Sequence, residues 1–204
     1  MTFGFRIIQI ILRFVTFFCF RVKIQGIENV PAEGGLIMAV NHKSYWDPVV
    51  VGMSTPRKLR YMAKAELFRN KLFGKLISAL GAFPVQRGKG DIGAIKGALS
   101  ILKREEPLLI FPEGGRTKDE KTSTAKPGAV MLAVRAEVPV VPVYISGKYR
   151  WFGTITVRYG TPVFYRDYYG QKLVVEQLQE LSNDLLKTMR TYRVEGKKHE
   201  KQRN

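Results

Sequence analysis

Residues 36–52 read L-I-M-A-V-N-H-K-S-Y-W-D-P-V-V-V-G. Five apolar residues run into Asn41-His42, and Asp47-Pro48 follows directly before a second apolar run. Pro48 suits the first turn of a helix and Asp47 its N-cap, so a helix is expected to begin at Asp47. The segment is therefore a buried strand, a short loop holding His42, and a helix: one β–α unit.

The same alternation extends outward. Strands are expected at 20–26, 35–41, 59–64, 81–87, 106–114, 138–147 and 153–160, with helices at 48–53, 66–79, 91–104, 127–136 and 171 to about 192. Strands alternating with helices predict an α/β domain whose largely parallel sheet is covered by helices on both faces. In such sheets ligands gather beyond the carboxyl ends of the strands. Asn41-His42, Arg87, and Glu113 with Arg116 all fall at predicted strand ends, so distant parts of the chain are expected to meet at one rim.

The first twenty residues, M-T-F-G-F-R-I-I-Q-I-I-L-R-F-V-T-F-F-C-F, form an expected N-terminal amphipathic helix. Thr2, Arg6, Gln9, Arg13 and Thr16 share one narrow helical stripe, and the rest of the circumference is apolar. An in-plane membrane anchor fits this pattern. A tilted span fits with one arginine placed in hydrocarbon at roughly 2.5–3.5 kcal/mol, and a helix packed on its own domain fits as well. The expected units are thus a membrane-anchoring helix at 1–20, an α/β domain at 21–192 and a charged, solvated C-terminal tail at 193–204.

The chain has 204 residues, with 34 Lys+Arg against 17 Asp+Glu and a net charge of +17. Such a surface attracts anionic lipid, phosphorylated substrates or nucleic acid. Basic and aromatic residues interleave in G-K-Y-R-W-F (147–152), as a single-strand-binding surface requires, but no nucleic-acid-binding motif accompanies them. One cysteine, Cys19, excludes an internal disulfide and a Cys-rich metal site.

His42 is the only histidine outside the tail, where His199 lies. Asp47 can fold back on it, fixing one ring nitrogen as a donor and leaving the other free to take a proton. An ordinary helix cap beside a loop histidine satisfies the local pattern equally. No G-x-S-x-G stretch is present, Cys19 sits in the anchor, and Ser44 is too close to His42, so a histidine base is expected to act on a substrate hydroxyl. Arg87 with Lys89, before a helix start at Asp91, can hold a phosphate. Gly114 and Gly115 let the backbone turn sharply beside Glu113 and Arg116.

Taken together these residues resemble the glycerolipid acyltransferases, most closely the bacterial 1-acylglycerol-3-phosphate (lysophosphatidic acid) acyltransferases. The family's N-H-x-x-x-x-D motif corresponds to Asn41–Asp47, its arginine-terminated motif to Gly81–Arg87, its F-P-E-G-T-R motif to Phe111–Arg116 and its V-P-V-x-P-V motif to Val138–Val143. Gly115 stands where threonine is usual, and Pro84 and Gln86 also depart from the pattern. The resemblance implies the glycerolphosphate acyltransferase-like α/β fold with a mixed sheet. It implies His42 as general base, Asp47 as its orienting partner, and Arg87 and Arg116 on the acceptor phosphate with Lys64 assisting. Glu113 would position arginine or glycerol, and Asn41, Pro139 and Pro142 would shape the pocket. The donor implied is an acyl thioester of acyl carrier protein or coenzyme A, with no cofactor, no metal and no nucleic-acid partner. The place implied is the cytoplasmic face of the cell membrane, held at the phospholipid surface.

Overall fold

The computed structural model describes residues 3–86, 92–116 and 123–201, and gives only the backbone of 3–9 and 194–201. The order along the chain is α1 (Phe3–Cys19), β1 (Phe20–Gln25), β2 (Leu36–Val40), α2 (Asp47–Ser54), β3 (Arg60–Lys64), α3 (Lys71–Ala79) and β4 (Ala82–Val85). It continues with α4 (Ile92–Lys103), β5 (Pro107–Ile110), α5 (Gly128–Ala136), β6 (Val140–Gly147), β7 (Gly153–Tyr159) and α6 (Val175–Lys201). Every expected strand forms, so the alternation was a sufficient guide to the elements.

One seven-stranded sheet carries the order β1-β7-β6-β2-β5-β3-β4. All its pairings are parallel except β6 with β7, an antiparallel hairpin closed by residues 148–152. The sheet is therefore mixed and largely parallel. β2 is its central strand, and all of Leu36–Val40 is buried, as a strand covered on both faces must be. Ile37 and Ala39 face a layer built from α4, α5 and α6, with Leu102, Ala133 and Leu185 against them. Leu36, Met38 and Val40 face the opposite layer, where Val50 and Val51 of α2 and Phe20 complete the core. Each such large side chain contributes about 1.5–3 kcal/mol on burial.

The topology fixes where a site can be. The carboxyl ends of β2, β3, β4, β5 and β6 share one rim, and because β1 and β7 run against them, their first residues join it. His42, Lys64, Glu113, the 148–152 loop and the last turn of α1 are gathered there.

Two boundaries and one helix orientation differ from expectation. The helix expected at 66–79 is a 3₁₀ turn at Ala65–Phe68 followed by α3, whose N-cap Asn70 accepts the N–H groups of Leu72 and Phe73 at 3.1 and 3.0 Å. The terminal helix begins at Val175 and continues to Lys201, through residues expected to fray as a solvated tail. Charge there does not oppose the helix, because Glu, Lys and Arg are good helix formers.

The third difference concerns α1. Thr16 is buried against the domain, and its hydroxyl has no partner among the described residues. Arg13 is exposed over the Phe17 ring, while Ile10, Ile11, Phe14, Phe17 and Phe18 point outward. The polar stripe is thus turned toward the domain at Thr16, and the uncovered face over residues 10–19 is apolar apart from Arg13. Thr2 lies outside the described residues. No helix among the described residues is long and apolar enough to cross a membrane.

Candidate active site

The site is built where β2 ends. Asn41 is buried, and its amide reproduces a strand pairing beyond the strand: Nδ2 donates to the Ile145 carbonyl at 3.1 Å and Oδ1 accepts the Ile145 N–H at 2.7 Å. Both ends of the side chain are consumed in joining β2 to β6. Asn41 thereby anchors the backbone from which His42 projects.

His42 and Asp47 meet. His42 Nδ1 lies 2.9 Å from Asp47 Oδ2. The carboxylate is fully buried and also accepts the backbone N–H groups of Lys43 at 2.6 Å and Ser44 at 2.7 Å. An acceptor committed to these donors requires the facing ring nitrogen to carry its proton, which leaves Nε2 with the lone pair. Asp47 is the first residue of α2 and Trp46 occupies the cap position, so the carboxylate binds backward to the loop and makes no cap bond to the helix. The expected Asp47 N-cap is therefore corrected. A side-chain-to-backbone loop replaces it, in which the carboxylate takes the two N–H groups of the short connection before the helix.

Two more contacts fix the imidazole. Its ring stacks on Phe111, centroids 3.8 Å apart and planes 15° from parallel, and its backbone N–H donates to Glu113 Oε2 at 3.1 Å. Glu113 Oε1 accepts from the Ser123 hydroxyl at 3.3 Å, and Arg190 of α6 donates to the Ser123 carbonyl at 2.6 Å and hydroxyl at 3.0 Å. Glu113 therefore ties the loop after β5 to the histidine backbone.

Sequence reasoning missed Tyr149. Its hydroxyl donates to Asp47 Oδ1 at 2.7 Å, so both carboxylate oxygens are occupied. Burial, with the adjacent Asp47 charge, pushes the Tyr149 hydroxyl far above its ordinary value and keeps it a donor. The ring packs edge-on to Phe20 at 5.4 Å. The only signal in the sequence was an aromatic in K-Y-R-W-F, and nothing local links it to a residue 102 positions away.

Arg116 is exposed, with its guanidinium 3.8 Å over the Tyr45 ring and Nη2 donating to the Tyr45 hydroxyl at 2.9 Å. Trp46, next in the chain, packs edge-on to Phe20 at 5.5 Å. Lys43 Nζ lies 5.0 Å over the Tyr144 ring. The K-S-Y-W insert between His42 and Asp47 thus places one aromatic on the arginine and another on the core. Lys64 ends β3, two strands from β2 or about 10 Å, and is exposed.

Gly114 has φ 71°, and a Cβ there would stand 2.6 Å from the Lys126 side chain, so the turn after Pro112 needs glycine. Among the described residues nothing lies within 4 Å of a Cβ at Gly115, so they give its departure from threonine no steric cause. Pro142 is buried in β6 beside Ala39 of β2. Pro139 precedes β6, and its carbonyl accepts the Ile37 N–H at 3.0 Å, at the amino end of the sheet. Pro139 therefore stands at the end of the sheet opposite the one that carries His42. Arg87, Lys89 and the helix start at Asp91 lie outside the described residues.

The fold is similar to that of the 1-acyl-sn-glycerophosphate (LPA) acyltransferase of Thermotoga maritima, with a TM-score of 0.67, 23% identity, and coverage of 91% of this chain and 79% of that one. In sequence it is 37% identical over 127 residues to a 1-acyl-sn-glycerol-3-phosphate acyltransferase of Bacillus subtilis (strain 168), covering 62% of this chain and 63% of the relative. It is 36% identical over 128 residues to a lyso-ornithine lipid O-acyltransferase of Pseudomonas aeruginosa, covering 62% and 48%. The chain thus spans less than two thirds of the length of these curated relatives. A family model described as Acyltransferase covers residues 21–146, which include the rim residues from Asn41 to Ile145, so the chain belongs to the acyltransferase family.

Proposed function

We propose that the protein transfers a fatty acyl group from a thioester, on acyl carrier protein or coenzyme A, to the sn-2 hydroxyl of 1-acylglycerol-3-phosphate, forming phosphatidic acid. The observation that carries this is the 2.9 Å contact of His42 Nδ1 with a buried Asp47 whose oxygens are otherwise satisfied. His42 Nε2 takes the acceptor hydroxyl proton as the oxygen bonds to the thioester carbonyl carbon. Collapse of the tetrahedral intermediate breaks the C–S bond, and the departing thiolate sulfur receives that proton from His42. General base catalysis of this kind contributes about 10²–10⁴ in rate, and positioning and charge supply the remainder.

Arg116 binds the acceptor phosphate, aided by Lys64 and Arg87, and Glu113 holds the loop beneath it. A guanidinium matches two phosphate oxygens in a way a lysine does not. The protein works on the cytoplasmic face of the membrane, with the apolar outer face of α1 laid in the interface. Supporting that placement are the exposed Phe14 and Phe18 and the net charge of +17.

The 36% identity to a lyso-ornithine lipid acyltransferase favours a second acceptor class. Its head group lacks a phosphate, so the two are separated by one assay. Incubating the purified protein with acyl thioester and a panel of lysolipids, and weighing the products, is expected to give phosphatidic acid. Acylation of lyso-ornithine lipid alone would overturn the phosphate reading, and no acylation of any lysolipid would overturn the activity.

A further inference from the structure

Among the exposed large apolar side chains, two groups stand at the rim, while others such as Phe164 and Val175 lie elsewhere on the surface. One group stands at the β1–β7 edge of the rim, where Phe18 stacks on Phe14 at 5.8 Å and meets Phe152 edge-on at 6.0 Å. The Phe152 N–H donates to the Cys19 carbonyl at 2.8 Å, joining the hairpin loop to the end of α1, and Trp151 beside it is 73% exposed. The second group stands at the opposite edge, beyond β3 and β4. There Leu67 is 43% exposed, Leu72 81% and Phe73 44%, and within α3 only Gly74 is buried. A helix with an apolar face normally covers it, and a cluster left open marks an interaction surface.

The charges around these groups have one dominant sign. Arg69, Lys71 and Lys75 are exposed beside Leu72 and Phe73, with Glu66 the acidic residue of that segment. Lys148 and Arg150 are exposed beside Trp151. Bulky apolar groups interleaved with cations are the composition of a surface that inserts into an anionic bilayer.

Topology selects between partners. β2, which delivers His42, is the fourth of seven strands, and the two groups flank it at the two ends of the sheet. With strands about 4.8 Å apart they stand roughly 20–29 Å from each other. A partner touching both must be broad and must lie across the mouth of the site, which a bilayer does and a small acidic carrier protein docked on one edge does not. We propose that the start of α3 is a second membrane-contact element, so that an anionic phospholipid surface is gripped at both edges of the rim with His42 between them. This rests on the membrane placement of α1 given above. The acceptor would then reach His42 from the plane of the bilayer.

The test is cosedimentation of the full chain with vesicles of phosphatidylcholine alone and of phosphatidylcholine with phosphatidylglycerol. Leu72→Ser with Phe73→Ser is expected to weaken binding to both by about tenfold or more. Lys71→Gln with Lys75→Gln is expected to weaken binding to the anionic vesicles by about fivefold per charge and to leave binding to neutral vesicles unchanged. Turnover of a short-chain, water-soluble lysophosphatidic acid should stay at the parent level in both, which also shows that the variants are folded. Parent-like vesicle binding by both α3 variants, with detachment of Phe14→Ser/Phe18→Ser, would overturn the proposal and leave the α1 anchor standing. Unchanged vesicle binding with a raised KM for acyl carrier protein thioester would overturn it in favour of a carrier-docking face. If the parent protein binds neither vesicle, the membrane placement itself fails and the proposal with it.

Discussion

His42 and Arg116 reach the same rim and are held in opposite ways. The His42 side chain is 11% exposed, and its ring face, Nδ1 and backbone N–H are each engaged, by Phe111, Asp47 and Glu113 in turn. Arg116 is exposed, and its holder Tyr45 is itself 75% exposed. A group that moves a proton gains from being fixed before substrate arrives, because reorientation during the reaction is avoided. A group that binds a phosphate must instead exchange water and neighbours for the ligand. One half of the site is preorganised and the other is parked.

The comparison breaks first at Asp47. Asp47→Asn removes the charge and offers an N–H to the imidazole, which favours the wrong tautomer, and kcat should fall about 10³–10⁴-fold with acceptor KM little changed. If kcat falls less than about tenfold, the fixed half is not catalytic.

Arg116→Ala probes the parked half. Loss of charge-assisted hydrogen bonds to phosphate should raise the acceptor KM about 10–100-fold while the KM for thioester stays put. An equal fall in kcat with unchanged KM would show that Arg116 acts in the transition state alone.

Tyr149→Phe sharpens the fixed half. The variant keeps the ring on Phe20 and deletes one hydrogen bond to a carboxylate, so kcat should drop about tenfold at unchanged KM. A purely structural role would lower Tm and leave kcat of the folded protein alone. Tyr45→Phe is the smallest change. It deletes the bond to Nη2 and keeps the ring under the guanidinium, so acceptor KM should move by about threefold or less.

These two halves were not equally legible in the sequence. The apolar run Leu36–Val40 and the D-P pair announced a β–α unit, and the spacing of the other runs announced its repetition, because parallel strands need crossovers and both demand apolar surface. Asp47 meeting His42 was open from local pattern alone, since a cap and an orienting carboxylate use the same residue. What decided it was the backbone path of the loop, which points the Lys43 and Ser44 N–H groups at Oδ2. Tyr149 was illegible because it sits in the loop between β6 and β7 while its partner opens α2, and a contact between segments 102 positions apart leaves no spacing rule. The same holds for Asn41, whose motif position suggested a pocket but whose amide extends the β2–β6 pairing. The orientation of α1 was half legible: periodicity defined its two faces, and packing of Thr16 chose which one turns inward.

The central claim is that Asp47 holds His42 with its proton on Nδ1 and Nε2 free for the acceptor hydroxyl. The chain has two histidines, so the imidazole ¹⁵N–¹H correlation spectrum of uniformly labelled protein, with His42→Gln to assign the signals, measures this directly. With the ring neutral, His42 is expected as a single Nδ1–H tautomer in the parent and as the Nε2–H tautomer in Asp47→Asn. An Nε2–H tautomer in the parent, or the averaged signal of a freely exchanging ring, would contradict it.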